Sequence, residues 1–326
     1  MEKNPVDEVL KIFKNGWNKQ VILYGPPGTS KTYSAIEIAA KFLAEKDENA
    51  DEETVNTHEK CEDYLKSKSE QYKVIQFHPS YSYEDFVRGI VVKTKDNDGH
   101  SLTIPTYEVE RKIIETFGEA ATSEAPRVLV IDEINRAPLG SVLGELIYGL
   151  EYRGKAVSTP YIYKENGKEK PLKISENLYI IGTMNTADRS IGTMDYAVRR
   201  RFAFVPVLPN ADVIKDSWKD KEVGDKAWKL FNDLIMNEKD GIFSNEYLED
   251  AELDVNDIKI GHTYFLGKQD LKEEDALEYL NYRINYQIRP VYQEYIKDGL
   301  IKKDGLERFD KILEDNGLKQ IEDSNK

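Results

Sequence analysis

Cysteine and long apolar runs are scarce in this sequence. Its 326 residues include one cysteine, so no disulfide can form within the chain. The Glu- and Lys-rich sequence around Cys61 predicts an exposed thiol in a reducing compartment. No segment approaches the roughly eighteen apolar residues of a membrane span, and the N-terminal sequence has no apolar signal-peptide core. We therefore expect a cytoplasmic protein that does not enter a membrane.

Positive charge is also limited, since 46 Lys and Arg residues stand against 60 Asp and Glu residues, for a net charge of −14. Residues 209–326 contain 18 of the basic and 28 of the acidic residues. This balance argues against nucleic-acid wrapping by that region through phosphate neutralisation. An apolar content of 40% is sufficient for a core, and the length suits one large or two medium domains.

The first strong motif is GPPGTSKT at residues 25–32, between a buried-strand pattern and a helical pattern. A glycine-rich turn in this position directs backbone N–H groups towards a polyphosphate. We expect Lys31 to reach the outer phosphates and Thr32 to bind Mg²⁺. The predicted nucleotide-binding residues are Gly25, Pro26, Pro27, Gly28, Thr29, Ser30, Lys31, Thr32 and Tyr33.

Ser30 departs from the usual motif, which has glycine before the lysine. A small side chain fits at the start of a helix without strain if its φ is negative, and on that premise we expect the site to be retained. The alternative is a glycine-rich turn without a ligand. The preceding strand, the following helix and the Lys31-Thr32 pair favour the phosphate site.

The second motif is RVLVIDEINRAP at residues 127–138. Its apolar residues predict a buried strand that ends at Asp132 and Glu133, and ligands of parallel sheets collect at such strand ends. Following a phosphate loop, the first carboxylate is expected to hold Mg²⁺ and the second to polarise an attacking water. An accidental apolar run ending in two acidic residues is the alternative.

A third apolar strand pattern, within residues 177–190, ends in the polar sequence MNTADRS. Asn185 is placed to orient water against the γ-phosphate, with Asp188 in the following turn. An Asx turn that caps the next segment is the competing interpretation. Arg199, Arg200 and Arg201 then precede a last strand, and we interpret them as candidate arginine fingers for a neighbouring subunit rather than a solvated charge cluster.

The remaining patterns predict the other elements. They indicate a solvated, charged insertion, two hairpins with turns near Asp98 and Asn166, and a C-terminal region of amphipathic helices in which Pro290 kinks or splits one helix. His262 is interpreted as structural, and core packing is the role expected of a tyrosine stripe made of Tyr279, Tyr282, Tyr286, Tyr292 and Tyr295. Predicted ranges are helix 5–16, insertion 46–70, strand 72–78, hairpin 91–107, helices 108–117 and 139–151, hairpin 156–174 and helical windows 226–236 and 275–297. We predict an α/β domain over 1–208 and a smaller helical domain over 209–326.

The ordered set GPPGTSKT, FHPSYSYEDF, VIDEINRA, GTMNTADRS and DYAVRRRF, with a later GHTYF, resembles the McrB family. This family comprises the AAA+ motor subunits of McrBC-type restriction systems. The resemblance implies an AAA+ P-loop NTPase core, with a parallel sheet flanked by helices, followed by an α-helical lid domain. It also implies that Lys31, Thr32, Asp132 and Glu133 match the Walker motifs, and Asn185 with Asp188 the water-positioning signature.

The same resemblance implies a substrate and partners. Family members form hexameric rings, use Mg²⁺ and prefer GTP to ATP, and they drive a McrC-type nuclease subunit. DNA would then be contacted through the partner or through pore loops, for which the predicted turns near Asp98 and Asn166 are candidates. The sequence contains no recognisable nuclease cluster, so DNA cleavage would need the partner.

Two other functions fit parts of the pattern. A MoxR-like ATPase that remodels protein complexes shares the DEINRA string and tolerates a small residue in place of the last P-loop glycine. A nucleotide-gated assembly module with little hydrolysis would use Ser30 as its distinguishing feature. Comparison of GTP and ATP turnover, and the effect of Glu133→Gln on it, separates the three hypotheses.

Overall fold

The computed structural model describes residues 4–95, 101–187, 194–249, 254–268 and 270–318. The described residues form two compact units. The first contains those of Met1–Tyr24 and Lys31–Pro206, and the second those of Gly25–Ser30 and Val207–Lys326. The glycine-rich loop is thus assigned to the second unit up to Ser30, whereas Lys31 and Thr32 are assigned to the first.

The first unit is built on a five-stranded parallel sheet. Its order, β2-β5-β8-β1-β9, places the strands that carry the three motifs next to one another. Strands β5 and β8 pair in parallel, from Arg127 opposite Leu178 to Ile131 opposite Gly182. The described strands are β1 (Gln20–Gly25), β2 (Tyr72–Gln76), β3 (Arg88–Lys95), β4 (Ser101–Arg111), β5 (Arg127–Asp132), β6 (Tyr163–Glu165), β7 (Lys168–Lys170), β8 (Leu178–Asn185) and β9 (Ala203–Pro206).

Helices flank this sheet on both faces. The described α-helices of the first unit are α1 (Pro5–Lys14), α2 (Lys31–Ala44), α3 (His58–Ser67), α4 (Tyr83–Phe86), α5 (Ile113–Glu119), α6 (Leu139–Leu143), α7 (Leu146–Glu151) and α8 (Tyr196–Arg199). Those of the second unit are α9 (Asp212–Lys215), α10 (Lys221–Phe231), α11 (Ala276–Arg283), α12 (Arg289–Lys297) and α13 (Asp304–Asp315). None of the helices described is both long and apolar enough to cross a membrane.

The alternation of side chains along β8 shows how both faces are covered. Ile180 belongs to a buried cluster with Phe117 of α5 and Val142 of α6. Tyr179, one residue earlier, points to the opposite face, where its ring lies 4.9 Å from that of Phe13 and 4.3 Å from that of Phe42. Burial on both faces explains why the motif-bearing strands are nearly continuous apolar runs.

The predicted helix over 108–117 is wrong in its first half. Strand β4 continues to Arg111, which pairs with Arg88 of β3, and α5 begins only at Ile113. Likewise the helix predicted over 139–151 is interrupted at Gly144, which has a φ of +49°. In the first case pairing with β3, and in the second a left-handed glycine, override the helical spacing of the apolar residues.

The predicted exposure of Cys61 is also wrong. Residues 58–67 of the charged insertion form α3, and the Cys61 side chain is fully buried, with its thiol donating to the carbonyl oxygen of Val55 at 3.4 Å. Tyr64 and Leu65 are buried on the same helix. These few apolar residues share one helical face, so a mostly charged segment still packs against the domain.

Both hairpins are present. Strands β3 and β4 pair in antiparallel fashion, although the predicted turn near Asp98 lies outside the described residues. Strands β6 and β7 are joined by Asn166 and Gly167, with φ values of +50° and +77°. Two consecutive positive φ values are characteristic of a type I′ turn.

The described part of the second unit is mainly helical. The helix α11 passes into a π-helical turn over Ile284–Ile288 and then into α12, where Pro290 occupies the first turn. This position tolerates proline because its missing N–H is not needed there. Within the predicted tyrosine stripe, Tyr292 and Tyr295 are buried whereas Tyr286 is 59% exposed, so the expected core packing fits only part of the stripe.

Candidate active site

Asp132 lies at the centre of a hydrogen-bonded chain at the carboxyl end of β5. Thr32 Oγ1, in the first turn of α2, donates to Asp132 Oδ1 at 2.8 Å. Thr183 Oγ1 of β8 donates to the same oxygen at 2.7 Å and accepts a 3.0 Å hydrogen bond from the backbone N–H of Glu133. The structure thus brings together Thr32, Asp132 and Glu133 from two separate motifs.

Thr183 was missed by sequence reasoning. It is buried, and its hydroxyl links the carboxylate of Asp132 to the backbone of Glu133. The available signal was a hydroxyl residue near the end of an otherwise apolar strand, two positions before Asn185. Buried polar groups are nearly always hydrogen-bonded, so such a residue indicates a partner on the adjoining strand.

Lys31 is 7% exposed at the start of α2. Burial lowers the pKa of its ammonium group to about 8, and the carboxylates of Asp132 and Glu133 oppose this shift. A buried cation beside two carboxylates is suited to hold a polyphosphate, which would add negative charge at the ammonium group.

Glu133 has an unusual backbone conformation. Its φ of +52° and ψ of +46° are left-handed, and it directly precedes a 3₁₀ turn over Ile134–Arg136. Its carboxylate Oε2 lies 2.5 Å from Nε of Arg136. Left-handed backbone at a non-glycine residue carries strain and is concentrated at functional sites, which makes Glu133 a stronger candidate for a catalytic role.

Asn185 is half-buried at the end of β8, and its carbonyl oxygen accepts a 3.1 Å hydrogen bond from Asn135 Nδ2. This contact joins the turn after β5 to the end of β8. The pair of strand ends therefore carries Asp132, Glu133 and Asn185 on neighbouring strands. Asp188, the other residue predicted here, lies outside the described residues.

The three arginines at the C-terminal end of α8, Arg199, Arg200 and Arg201, differ in environment. Arg201 is largely buried; its Nη1 donates to the carbonyl of Ala197 at 2.9 Å and its Nη2 lies 2.5 Å from Glu151 Oε2. Arg199 and Arg200 are exposed, although the Arg199 guanidinium lies 5.2 Å from the Phe204 ring centre. Only Arg199 and Arg200 are thus placed to reach another molecule.

The loop residues assigned to the second unit adopt the conformations expected of a phosphate loop. Gly25 leaves no room for a side chain, because a Cβ would lie 2.3 Å from the carbonyl oxygen of Val207, and Gly28 has a φ of +79°. The hydroxyl of Thr29 donates to the carbonyl of Pro26 at 3.1 Å. The glycines and Thr29 therefore fix a tight turn.

Ser30 does not have the negative φ assumed from the sequence. Its φ is +66°, in the left-handed region, so the premise that serine fits there without strain is wrong. The Ser30 hydroxyl lies 3.0 Å from Nε2 of His262, within the same unit. His262, interpreted from sequence as structural, therefore contacts the predicted nucleotide-binding loop directly.

Tyr33, the last of the predicted nucleotide-binding residues, is 47% exposed. Its ring stacks on that of His58, with 3.5 Å between the ring centres and 8° between the planes. The contact joins α2 to α3 within the first unit.

A Mg²⁺ ion suits the oxygens of Thr32 and Asp132. They lie 2.8 Å apart and are hard ligands of the kind that Mg²⁺ prefers. Among the described residues there is no group of three or more His, Cys, Asp or Glu side chains that could hold a metal. Mg²⁺ at nucleotide sites commonly binds one or two protein oxygens and takes its other ligands from water and phosphate.

The sheet order, the glycine-rich loop and the Thr32–Asp132–Thr183 chain together define a P-loop NTPase of the α/β type. The chain belongs to the AAA domain family, dynein-related subfamily, whose profile matches residues 20–202. The AAA+ fold expected from the sequence is thereby confirmed.

Comparison with curated proteins confirms the McrB-type resemblance. The chain is 32% identical over 293 residues to the type IV methyl-directed restriction enzyme EcoKMcrB subunit of Escherichia coli K12, covering 87% of this chain and 55% of the relative. It is 27% identical over 180 residues to the type II restriction enzyme BsuMI component YdiS of Bacillus subtilis 168, covering 47% of this chain and 52% of the relative. The chain thus spans about half the length of these curated relatives.

A solved structure of a Cytophaga hutchinsonii protein aligns with 94% of this chain and 88% of its own length. The TM-score is 0.36 and the sequence identity is 11%.

Proposed function

We propose that this chain is a Mg²⁺-dependent nucleoside triphosphatase, with GTP as its preferred substrate, that acts as the motor subunit of a DNA restriction complex. The observation that carries the proposal is the 32% identity over 293 residues to the EcoKMcrB subunit. Similarity to a component of a second restriction enzyme supports the same context. In this proposal a separate McrC-like nuclease cuts the DNA in the cytoplasm.

The proposed domains follow the sequence, with an α/β nucleotide-binding domain over 1–208 and a helical lid domain over 209–326. In the described first unit, Lys31 offers a buried positive charge to the outer phosphates. Thr32 and Asp132 would hold Mg²⁺. When bound, the ion would neutralise negative charge on the phosphates. Thr183 keeps the Asp132 carboxylate oriented through its 2.7 Å hydrogen bond.

In the proposed reaction a water oxygen bonds to the γ-phosphorus as the bond from that phosphorus to the bridging oxygen breaks. The products are inorganic phosphate and the nucleoside diphosphate. Glu133 accepts a hydrogen bond from the water and takes its proton, and Asn185 orients the same water. For Glu133 to do so, its carboxylate must leave Arg136, from which it is separated by 2.5 Å.

We further propose that the active subunit is part of a hexameric ring. The exposed positions of Arg199 and Arg200 support their assignment as arginine fingers for the next subunit. The burial of Arg201 and its ion pair with Glu151 instead support a structural role for that residue.

Turnover with GTP and ATP tests the substrate assignment. We expect kcat/KM for GTP to exceed that for ATP by at least about tenfold, a difference of about 1.4 kcal/mol in transition-state binding. A preference for ATP would favour the MoxR-like function.

The partner assignment is tested by co-purification of the chain from its native host in the presence of a non-hydrolysable nucleotide. Recovery of the chain without any nuclease would contradict it.

A further inference from the structure

The segment 261–263, which we call the GHT strap, is hydrogen-bonded to the phosphate loop. The backbone N–H of Gly261 donates to the carbonyl of Pro27 at 2.9 Å, and that of Thr263 donates to the carbonyl of Gly28 at 3.0 Å. A Cβ at position 261 would lie 2.0 Å from the carbonyl carbon of Gly28. Only glycine therefore allows the strap to approach the loop this closely.

His262, the middle residue of the strap, is buried and makes hydrogen bonds through both ring nitrogens. Its Nδ1 accepts from the backbone N–H of Asn210 at 3.1 Å, and its Nε2 lies 3.0 Å from Ser30 Oγ. Because Nδ1 is the acceptor, the neutral ring carries its proton on Nε2 and donates it to Ser30. Burial lowers the pKa of His262 to about 4, which keeps this neutral form at physiological pH.

Ser30 is the loop residue that benefits from this contact. Its φ of +66° is readily adopted by glycine, the usual residue here, but is disfavoured for a residue with a Cβ. A hydrogen bond that forms only when the Ser30 hydroxyl points towards His262 favours the left-handed conformation over its alternatives. Lys31, the next residue along the chain, is the first residue of α2.

We infer that His262 is a positioning residue for nucleotide binding, which holds Ser30 in the left-handed conformation and so shapes the phosphate loop before the nucleotide arrives. Glycine, the usual residue at this position of the motif, adopts a positive φ without help, and here the Ser30–His262 hydrogen bond stabilises that conformation for serine. The inference rests on the proposed nucleotide-binding function of the loop. It assigns no contact between His262 and the nucleotide itself.

A double-mutant cycle on nucleotide affinity tests the inference. We would titrate fluorescent GTP and ATP analogues into the wild-type chain, Ser30→Ala, His262→Ala and the double variant. Each single substitution is expected to raise Kd about tenfold, and the double variant to be no weaker than either, because all three remove the same hydrogen bond. For His262→Ala, which removes no contact with the nucleotide itself, KM should rise about tenfold while kcat at saturation changes by less than about threefold, since the effect is on binding.

Replacement of Ser30 by glycine supplies the decisive control. Glycine adopts a positive φ without help from a hydrogen bond, so adding His262→Ala to Ser30→Gly should change Kd by less than about twofold relative to Ser30→Gly alone. An equal loss from His262→Ala in the serine and glycine backgrounds would show a general structural role and overturn the inference. The inference would also be overturned if the double variant Ser30→Ala/His262→Ala lost affinity by the product of the losses of the two single variants.

Two further measurements separate the outcomes. Lys31→Ala should abolish binding; if the wild type binds no nucleotide, the proposed function fails. If the wild type binds nucleotide and Lys31→Ala abolishes that binding, but His262→Ala leaves Kd unchanged, then only the inference about His262 fails. Thermal unfolding reports on folding, and if His262→Ala does not fold, Ser30→Ala against Ser30→Gly still tests the same hydrogen bond from the loop side.

Discussion

Lys31 is a buried lysine with a pKa of about 8, so the loop loses its fixed positive charge at mildly alkaline pH. Nucleotide phosphates favour the charged form, which means that the ammonium pKa is higher in the complex than in the free chain. Affinity should therefore be constant below about pH 7 and fall as pH rises above about 8, approaching tenfold per pH unit. Titration of a non-hydrolysable analogue between about pH 6.5 and 9.5 measures this.

The matched control for that titration is Lys31→Arg, whose guanidinium remains charged throughout. Its affinity should depend less on pH, even if it binds more weakly at neutral pH because the geometry differs. A wild-type Kd that is unchanged up to about pH 9.5 would contradict the assignment of Lys31 to the phosphates.

The burial of His262 also leads to a prediction about how the folding stability of the chain depends on pH. Its pKa is about 4 in the folded chain and about 6.5 when unfolded, so the unfolded state binds more protons between these values. Folding stability is thus lost as pH falls through this window, by about 2 kcal/mol between pH 7 and 5. Urea unfolding of the wild type and His262→Gln measures the difference, and equal pH slopes for both would refute it.

Among the larger elements, the β3–β4 hairpin depends on a buried ion pair at its base. Arg88 is 1% exposed, and its Nε and Nη2 each donate to a carboxylate oxygen of Glu115 at 2.7 Å. Arg88→Met removes both short hydrogen bonds from the buried Glu115 carboxylate and leaves only the Arg111 guanidinium, 3.9 Å away, so it should lower the free energy of unfolding by about 3–5 kcal/mol.

The control pair for this substitution lies further along the same hairpin. Lys93 and Glu108 are 2.6 Å apart but both about half exposed, so Lys93→Met should lower the free energy of unfolding far less than Arg88→Met does. Denaturant unfolding gives both values. Similar losses for Arg88→Met and Lys93→Met would show that burial is not what makes the Arg88 pair important.

The elements that sequence predicted well were those specified by local pattern. Strands β1, β5 and β8 are buried on both faces, and continuous apolar runs record that burial directly. The helix predicted over 108–117 failed because Val109 and Ile113 happen to lie at helical spacing, while the pairing of Val109 with Ile90 is a long-range contact. The extent of a strand depends on how far its partner pairs with it, and this is why the pattern did not show that β4 continues to Arg111.

In the candidate site, too, residues in local motifs were predictable from the sequence, whereas residues defined by contacts with other segments were not. Lys31, Thr32, Asp132 and Glu133 stand in recognisable motifs, because the chemistry demands those residue types at strand ends. The roles of Thr183 and His262 depend on contacts between segments that are far apart in sequence. Thr183 lies 51 positions from its partner Asp132, and His262 lies 232 positions from its partner Ser30. No local pattern encodes such contacts.

At the scale of the whole molecule, the proposed ring predicts how the exposed arginines act. Arg199→Ala or Arg200→Ala should lower kcat by at least about a hundredfold while changing nucleotide Kd less than about threefold, because the finger acts on the transition state. Arg201→Ala is the contrasting variant and should mainly reduce thermal stability, since it removes the ion pair with Glu151.

Mixing two inactive variants tests whether the arginine acts between subunits. Glu133→Gln retains its arginines and Arg199→Ala retains its glutamate, so a mixed ring contains interfaces with both groups intact. Recovery of turnover on mixing is expected. Failure to recover, with mixed oligomers shown to form, would place the arginine and the glutamate in the same subunit.

The most direct test of the account is Mg²⁺-dependent phosphate release by the purified chain and by Glu133→Gln, each with GTP and with ATP. The account predicts turnover by the wild type and a loss of at least about a hundredfold in kcat for Glu133→Gln, with nucleotide Kd within about threefold of the wild type. Equal turnover by the two proteins, or tight nucleotide binding without turnover by the wild type in assembled rings, would contradict it.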